Sequence, residues 1–471
     1  MYHLGSRIGK ESLGVPTEAR SPWDGSVVGT YGLVGWPEMD RALQLAASAF
    51  PSVRATPRRE RRGLLLRVAG TVRAKRSELA GLLVREIGKP VAWAEAEVDR
   101  LALTFELAAD VLSAPSGTIH PLDLDPRGDG HVGRVERFPV GPVLAIVPYN
   151  WPFNLAAHKL APAIAAGNPV ILKPARQAAL STLTLAEIVL EAGAPEGALQ
   201  AVACPPDVAE RAATDPRVAM VSFTGSPAVG WRLKELAARK RVSLELGGDA
   251  AAVVLDDADL DWAVRRIVAG GYGYAGQVCI AVQRVLASRR VFAELRERLT
   301  EATRSCPFGD PSRRETVCGP LIDEPSARKV EEWIGEAVDG GARLLCGGRR
   351  SGAVVEPTLL EDVPPGCRLA QEEVFGPVLT LQAVEDAAEA IRRVNASRYG
   401  IHVGVFTRDL ATAERFYRES EVGGVVVGDY PTLRFDNMPY GGVKQSGFGR
   451  EGVAYAYEEM TEPKALVVRA P

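Results

Sequence analysis

Between residues 143 and 248, short hydrophobic runs alternate with amphipathic segments. VLAIVP (143–148) and PVILKP (169–174) are continuous apolar runs, whereas LAAHKLAPAIAAG (155–167) has apolar residues three and four positions apart. Short apolar runs predict buried strands, and the spacing of three and four predicts helices. Strands and helices in alternation indicate βαβ units and a mostly parallel sheet.

The flanking regions have different patterns. Residues 37–113 predict helices, again from apolar residues three and four apart. Residues 114–142 are rich in Pro and Gly and contain the alternating run HVGRVERF, which predicts a protruding hairpin or pair of strands. A second alternating unit begins near residue 249. Its predicted strands are GPVLTLQAV (376–384), HVGVFT (402–407) and GGVVVGD (423–429), and one more strand is predicted in the tail TEPKALVVRAP (461–471). The predicted fold class is therefore α/β, with two sheet-sized units and a separate β element.

Composition narrows the class of protein. A chain of 471 residues is too long for one ordinary core, which favours two or three structural units. The net charge of −3 gives no reason to expect a nucleic acid or an anionic membrane as partner. The N-terminus has no signal-peptide core, and no run approaches the roughly 20 apolar residues of a membrane span. We therefore expect a cytoplasmic protein.

The cysteines do not form a metal or disulfide pattern. None lies in a C-x-x-C motif, and no His lies at zinc-ligand spacing from one, so no metal is expected. Most should be inert buried thiols. The six are Cys204, Cys279, Cys306, Cys318, Cys346 and Cys367.

A glycine-rich stretch, GGYGYAGQVCIAVQRV (270–285), matches the G-x-G-x-x-G dinucleotide fingerprint at Gly271, Gly273 and Gly276. That fingerprint must follow a strand and open a helix. Here the predicted order is reversed, because a helix precedes the glycines and VCIAVQRVLAS (278–288) alternates like a strand. We therefore expect the glycines to let the backbone pass close to a neighbour. Cys279 follows them, and exposed backbone N–H groups could stabilise its thiolate or an oxyanion.

Three other segments offer partners for this thiol. Asn150 follows a predicted buried strand, and its amide could donate to an oxyanion or hold the loop as an Asx turn. Glu245 lies in an apolar strand, either as a general base with a raised pKa or as an outward-facing edge residue. Glu373 and Phe375, in EEVFGPV, suit a ribose and a flat ring, or form a charged turn.

Taken together, these segments closely resemble the aldehyde dehydrogenase superfamily over nearly the whole chain. The six matching motifs, in the family's order, are PYNWPFNLAAHKLAPAIAAGNPVILKPA, SFTGS, LELGG, GQVCIA, EEVFGPV and MPYGGVKQSGFGREG. The resemblance implies NAD(P)-dependent oxidation of an aldehyde to a carboxylic acid. Cys279 would form a thiohemiacetal and then a thioester. Asn150 and the Cys279 N–H would hold the oxyanion, and Glu245 would activate the hydrolytic water. Glu245 favours hydrolysis over transfer to coenzyme A.

The resemblance also implies a cofactor site. Gly225 and Ser226 would bind phosphate at a helix N-terminus, and Lys173 would reach the adenosine ribose. Arg176 stands where NAD-preferring members often carry a glutamate, and an arginine suits a 2′-phosphate, so NADP is modestly favoured over NAD. The remaining cofactor contacts implied are Glu373 and Phe375 at the nicotinamide ribose, with Pro148, Trp151 and Gly247.

The predicted substrate is a small polar aldehyde. NLAAHK and PTLRFDNMPYGG are most similar to a subgroup that handles lactaldehyde and phosphorylated or sulfonated aldehydes, such as glyceraldehyde 3-phosphate and sulfo- or phosphonoacetaldehyde. Val278 stands where some anion-handling members have arginine, which leaves a lactaldehyde-like hydroxyaldehyde as the first choice. Arg434, His158 and Arg100 could meet an anionic group, or could form structural salt bridges.

By the same resemblance, the cofactor domain comprises residues 1–118 and 139–248, and the catalytic domain residues 249–450. Residues 119–138 and 451–471 would form an oligomerisation arm, which predicts a homodimer or homotetramer. Two alternatives are a thioesterase or acyltransferase and a non-catalytic structural relative. FTGS and EEVFGP argue against the first, and the joint presence of the proposed catalytic residues argues against the second.

Overall fold

The structure is a computed structural model that describes residues 1–115 and 117–469. Ser116, Ala470 and Pro471 lie outside the described residues, so the predicted arm segment 451–471 is described as far as Arg469. The α-helices of the described residues are α1 (Trp36–Ala55), α2 (Arg58–Ala74), α3 (Arg76–Ile87), α4 (Val91–Val111), α5 (Pro152–Ala166), α6 (Ala179–Glu191), α7 (Pro206–Thr214), α8 (Pro227–Ala237), α9 (Leu260–Tyr272), α10 (Arg289–Arg304), α11 (Glu324–Asp339), α12 (Arg368–Gln371), α13 (Ala387–Asn395), α14 (Leu410–Glu419) and α15 (Val453–Glu459).

The strands of the same residues form two large sheets and three small ones. They are β1 (Tyr2–Leu4), β2 (Ser6–Ile8), β3 (Glu11–Leu13), β4 (Val15–Arg20), β5 (Val27–Leu33), β6 (Gly117–His120), β7 (His131–Pro139), β8 (Val143–Ile146), β9 (Val170–Lys173), β10 (Leu199–Ala201), β11 (Met220–Thr224), β12 (Arg241–Glu245), β13 (Ala251–Val254), β14 (Arg284–Ser288), β15 (Arg343–Cys346), β16 (Arg350–Ser351), β17 (Val354–Val355), β18 (Thr358–Glu361), β19 (Val378–Val384), β20 (His402–Phe406), β21 (Gly424–Val427), β22 (Gly447–Phe448) and β23 (Thr461–Arg469). The predicted α/β class is confirmed.

The first large sheet has the order β22-β12-β11-β8-β9-β10-β2-β3. Its five central strands, β8 to β12, pair in parallel, and antiparallel pairs occur only toward its two edges. The predicted βαβ alternation over 143–248 is thus confirmed. Helices α5 and α6 connect these strands and are almost wholly buried, which explains why their sequences are apolar on most faces.

The second large sheet has the order β15-β18-β19-β14-β13-β20-β21 and is parallel except at β15. The predicted strand over 278–288 is wrong in its first half, since β14 begins only at Arg284. Residues 278–283 turn back on themselves instead. The Ala281 N–H donates to the Val278 carbonyl at 2.8 Å, and the Val282 N–H donates to the Gly270 carbonyl at 3.1 Å.

A three-stranded antiparallel sheet, β23-β7-β6, confirms the predicted strand pair and tail strand. Strand β23 is an edge whose side chains after Thr461 are exposed. Val453 and Met460, in the segment assigned to the arm, are buried in the core beside α5. The domain boundaries stay predictions.

The N-terminal strands were not predicted from the pattern. Strands β1, β4 and β5 form their own sheet, and β2 and β3 extend the first large sheet. No helix in residues 1–115 and 117–469 is long and apolar enough to cross a membrane.

The parallel strands place the candidate residues at one edge. Asn150 follows β8, Gly225 follows β11, and Lys173 and Glu245 end β9 and β12. Because the carboxyl ends of parallel strands meet at the same edge, these residues face one region of the molecule.

Candidate active site

A cleft of about 810 Å³ opens at this edge of the first sheet. Pro148, Gly225 and Ser226 line it, and Ser226 immediately precedes α8. The buried Thr224 hydroxyl, at the end of β11, has no hydrogen-bond partner among the described residues. The start of a helix offers unpaired N–H groups and a positive dipole end, so this corner suits a phosphate.

Two cations line the same cleft. Lys173 ends β9, and burial lowers the pKa of its ammonium group. Arg176 faces Tyr31, which also lines the cleft. Within the described part of the chain neither cation forms an ion pair, whereas the lining acid Glu210 pairs with an arginine on α8 at 2.8 Å. The cleft therefore has positive charge available for the phosphates of a dinucleotide.

The inner end of the cleft approaches the second unit. The Gly248 N–H donates to a Glu373 carboxyl oxygen at 3.1 Å, and burial raises the pKa of Glu373 to about 8. A Cβ at Gly247 would collide with that carboxyl group, so a larger residue there would have to displace it. Phe375 has a φ of 51° and packs edge-to-face on Tyr149, which lines the cleft, at 6.2 Å between ring centres.

The glycine loop lies on the other side of this junction. None of Gly271, Gly273 and Gly276 lines the cleft. A Cβ at Gly271 would lie 2.6 Å from the Leu379 side chain, and one at Gly273 would overlap the Trp93 ring. The glycines therefore allow close packing of the backbone. Their match to the dinucleotide fingerprint does not place them at the cleft.

Gln277 fixes the loop just before Cys279. Its side-chain amide donates to the Tyr274 and Pro320 carbonyls at 3.3 and 3.2 Å, and its carbonyl accepts from the Ile322 N–H at 2.9 Å. The Asn150 amide donates to the Gln277 backbone carbonyl at 2.9 Å. Asn150 is thereby held beside the Cys279 loop, with a second amide N–H left for another acceptor.

At this junction Glu245 is buried and Cys279 is partly buried. The Cys279 sulfur lies 2.9 Å from the Tyr440 hydroxyl, and burial raises the pKa of its thiol to about 12. Both carboxyl oxygens of Glu245 are buried without a hydrogen-bond partner in the described residues. Burial, and then the nearby Glu451 carboxylate, raise the pKa of Glu245 well above its usual value. A carboxyl group in this state suits a general base that works near neutral pH.

A second pocket, of about 200 Å³, lies on the opposite side of Cys279 from the cleft. Arg100 and Arg434 line it, and no carboxylate of the described chain does. Trp151 lines this pocket and does not line the larger cleft. Trp151 immediately precedes α5, which starts at Pro152, and its ring lies over the buried Lys89 ammonium group, with 3.8 Å between the nitrogen and the ring centre.

Asp436 joins the three residues predicted to meet an anion. It accepts two bonds from Arg100, at 2.6 and 3.0 Å, and Arg434 lies 3.4 Å away. The His158 Nε2 lies 2.9 Å from the same carboxylate, but His158 is fully buried behind it and does not line the pocket. Burial alone would raise the pKa of Asp436, yet the bonds from His158 and Arg100 hold it well below its usual range.

Glu451 continues this ionic cluster. It lies 3.0 Å from Lys159 and 3.2 Å from Arg434. Asp436, Glu451 and Tyr440 were not singled out from the sequence, although all three lie within segments that carried the family resemblance. Asp436 lies two residues after Arg434 and Glu451 directly follows Arg450, and an acid beside an arginine is too common a pattern to mark either one.

Comparison with known proteins decides the family. The sequence profile of the Aldehyde dehydrogenase family matches residues 10–466. This chain belongs to that family. The resemblance inferred from the six motifs is confirmed, and the protein is an NAD(P)-dependent aldehyde dehydrogenase.

Similar proteins span almost the whole enzyme. The 3-sulfolactaldehyde dehydrogenase of Priestia aryabhattai is 40% identical over 87% of this chain and 86% of its own length. The lactaldehyde dehydrogenase of Methanococcus aeolicus is 35% identical over 99% of both chains. The NADP complex of NADP-dependent glyceraldehyde-3-phosphate dehydrogenase from Bacillus halodurans superposes with a TM-score of 0.97, at 35% identity over 100% of both chains.

A buried ion pair supports both loops of this aldehyde dehydrogenase. The side chains of Lys89 and Glu97 are fully buried and bonded to each other. Glu97 also accepts the first N–H groups of α5, from Phe153 at 2.9 Å and Asn154 at 3.1 Å. The Lys89 ammonium group lies 4.6 Å from the ring of Tyr274, in the glycine loop. The pair therefore connects the Asn150 and Cys279 loops.

Removing one member of this pair should strongly destabilise the protein. Lys89→Met or Glu97→Gln leaves a buried charge uncompensated, which costs about 3–5 kcal/mol. The double variant should be less destabilised than the two single effects combined. The measurement is the midpoint of urea unfolding. Arg73→Met, which breaks an exposed pair with Glu106, is the control and should cost about 1 kcal/mol or less. Single variants that unfold at the wild-type urea concentration would contradict the assigned role.

Proposed function

We propose that this aldehyde dehydrogenase oxidises a short aldehyde that carries an anionic group and hydrolyses the thioester to a free acid. The observation that carries the proposal is the pocket of about 200 Å³ above Cys279, with two arginines and no carboxylate in its described lining. A pocket of this size suits a chain of a few carbon atoms. An arginine pair favours a carboxylate, sulfonate or phosphate at the far end.

The charges around the pocket support an anion. Arg100, Arg434 and Lys159 face only two ionised acids, Asp436 and Glu451. Burial and the neighbouring Arg434 lower the pKa of His158, so this imidazole is neutral at pH 7. These three cations therefore share two carboxylates in their ion pairs, which leaves an excess of positive charge in the cluster. A substrate anion would supply the missing negative charge.

A hydroxyaldehyde such as lactaldehyde, the first choice from the sequence, is the second candidate. Each lining arginine already has an acidic partner, Asp436 for Arg100 and Glu451 for Arg434. Such paired cations can still donate to a neutral hydroxyl group. The names of the similar proteins include both substrate types.

The residues at the junction can perform the covalent steps. The Cys279 thiolate attacks the aldehyde carbon, and the carbonyl π electrons move to oxygen. The free N–H of the Asn150 amide and the Cys279 backbone N–H stabilise that oxyanion. When bound, NAD(P) supplies the two-electron acceptor that converts the adduct to a thioester. Glu245 then takes a proton from water, the hydroxide oxygen bonds to the acyl carbon, and the C–S bond breaks with its electron pair going to sulfur.

The cleft fits the cofactor through residues of this chain. Gly225 and Ser226 would bind a phosphate, Lys173 the adenosine ribose and Glu373 the nicotinamide ribose. Arg176, unpaired in the described structure, would meet a 2′-phosphate and so favours NADP. The exposed edge of β23 supports the proposal of a homodimer or homotetramer, since such an edge can pair with a strand of another subunit.

The catalytic assignment predicts distinct defects. Cys279→Ala should abolish aldehyde-dependent reduction of the cofactor. Glu245→Gln should retain one rapid turnover per site and then release acid about 10²–10⁴-fold more slowly, because only hydrolysis loses its base. Stopped-flow absorbance of the reduced cofactor measures both. Turnover that persists in Cys279→Ala would refute the nucleophile.

The raised pKa of Glu245 predicts a pH dependence. Hydrolysis requires the ionised carboxylate, so its rate should fall as the pH drops through the raised pKa, well above the ordinary value of 4.5. The measurement is the single-turnover hydrolysis rate across pH. In Glu245→Gln this acid limb should disappear, and its persistence would assign the limb to another group.

The pocket charge predicts selective loss of anionic substrates. Arg100→Met should lower kcat/KM about 10–100-fold for a carboxylate- or sulfonate-bearing aldehyde, and much less for propanal, because one charge-assisted bond is lost. Arg76→Met removes an exposed cation bonded to Asp99 and is the matched control. Equal losses for charged and neutral aldehydes would contradict anion recognition.

Cofactor preference tests the role of Arg176. The wild-type enzyme should have a higher kcat/KM with NADP than with NAD, and Arg176→Glu should lower this ratio at least about tenfold, because a carboxylate repels the 2′-phosphate. Arg211→Glu, on α7 outside the cleft lining, is the control. A strong wild-type preference for NAD, or an unchanged ratio in Arg176→Glu, would overturn the assignment.

A further inference from the structure

The Tyr440 hydroxyl contacts the reacting sulfur and has no other hydrogen-bond partner in the described structure. It lies 2.9 Å from the Cys279 Sγ. Tyr440 is buried, and none of the steps described above uses it. A buried hydroxyl directed at a single sulfur atom suggests a function for that contact.

The surrounding structure holds this hydroxyl in place. The backbone of Tyr440 exchanges two hydrogen bonds with Glu451, at 2.9 and 2.6 Å. The Arg434 guanidinium lies 3.8 Å from the centre of the Tyr440 ring, and His402 packs edge-to-face at 5.3 Å. The phenol therefore cannot turn away from the sulfur without disrupting the ionic cluster.

The direction of the hydrogen bond follows from the protonation states. Burial raises the pKa of Tyr440 well above 10, so the phenol keeps its proton. A thiolate has no proton to give and can only accept. Whenever Cys279 is ionised, the Tyr440 O–H must be the donor.

We propose that Tyr440 is a catalytic residue whose O–H donates to the Cys279 thiolate whenever that thiolate forms, both before it attacks the aldehyde and when it leaves the thioester. The proposal rests on the proposed role of Cys279 as nucleophile. In hydrolysis the C–S bond breaks and its electron pair returns to sulfur, where the Tyr440 hydrogen bond strengthens as the charge develops. Tyr440 thereby stabilises the leaving group.

Other groups around Cys279 act without a direct bond. Burial opposes the thiolate most strongly, and the carboxyl groups of Glu373 and Glu245 oppose it when ionised. The Arg434 cation favours the thiolate from beyond the Tyr440 ring. Among the described side chains, Tyr440 alone lies within hydrogen-bonding distance of the sulfur, and it is the donor when Cys279 is ionised.

Tyr440→Phe removes only this hydroxyl. Loss of a hydrogen bond to a charged group should raise the thiol pKa by about one to two units. The bare thiolate is more nucleophilic, which offsets part of the lost thiolate population, so alkylation should slow by about 3- to 10-fold. The readout is iodoacetamide labelling of the Cys279 peptide at fixed pH, followed by mass spectrometry. This readout requires neither substrate nor cofactor.

Two controls separate this role from general destabilisation. Tyr272→Phe deletes an equally buried hydroxyl, bonded to Thr303 and to the Thr358 carbonyl, and should leave Cys279 labelling unchanged. Site-specific 3-fluorotyrosine at position 440, a more acidic donor, should lower the thiol pKa. That replacement keeps the experiment decisive if Tyr440→Phe does not fold.

The kinetic readout is the hydrolysis rate after the first turnover. It should fall in Tyr440→Phe at every pH, without the loss of the acid limb expected of Glu245→Gln. Unchanged or faster labelling in Tyr440→Phe would overturn the proposal, and so would an unchanged thiol pKa with fluorotyrosine. If Cys279→Ala still turns over aldehyde, the proposed nucleophile fails instead, which is a different result.

Discussion

The buried ion pair between Lys89 and Glu97 is the constraint on which the active-site geometry depends. Two charges without access to water must keep each other as partners, because separating them costs several kcal/mol. The second carboxyl oxygen of Glu97 accepts hydrogen bonds from the first turn of α5, just after Asn150. Lys89 lies against the rings of Trp151 and Tyr274, one from each loop. One electrostatic contact thus positions both Asn150, the proposed oxyanion donor, and the loop of Cys279, the proposed nucleophile.

Above that pair, three buried acids lie close together and differ in protonation because their partners differ. Asp436 accepts bonds from Arg100 and His158, and Glu451 lies between Lys159 and Arg434, so both stay ionised. Glu245 has no hydrogen-bond partner among the described residues, and its raised pKa means that it takes up a proton more readily than the other two. All three acids are buried. Those with positively charged or hydrogen-bonding partners stay ionised and structural, whereas the one without such partners has a raised pKa and could act as a base. The cations that keep Asp436 and Glu451 ionised leave Glu245 unpaired among the described residues, as its proposed role as general base requires.

The sequence predicted what periodicity and local motifs encode. The alternation over 143–248 predicted the parallel strands correctly. The candidate residues Asn150, Glu245 and Cys279 could be selected because each lies in a short recognisable motif, PYNWPFN, LELGG or GQVCIA. The strand predicted over 278–288 failed because alternating apolar residues also fit a turned loop buried on both sides. Contacts between residues that are far apart in the sequence leave no periodic or local pattern from which they could be predicted. Lys89 lies in the Gly-Lys-Pro link before α4 and Glu97 lies eight residues later in that helix, so the sequence gives no sign that their side chains meet. Asp436 gains its meaning only from Arg100 and His158, which lie more than 270 residues earlier.

Arg434 connects recognition with reactivity. Its guanidinium lines the pocket proposed for the substrate anion and lies over the ring of Tyr440, whose hydroxyl contacts the Cys279 sulfur. A substrate anion at Arg434 would neutralise part of the positive field that favours the thiolate. A hydrogen bond from a neutral phenol does not weaken in this way, because it acts over one short contact and carries no net charge. A neutral donor would therefore suit the proposed nucleophile, whose thiolate would have to form beside the proposed anionic substrate.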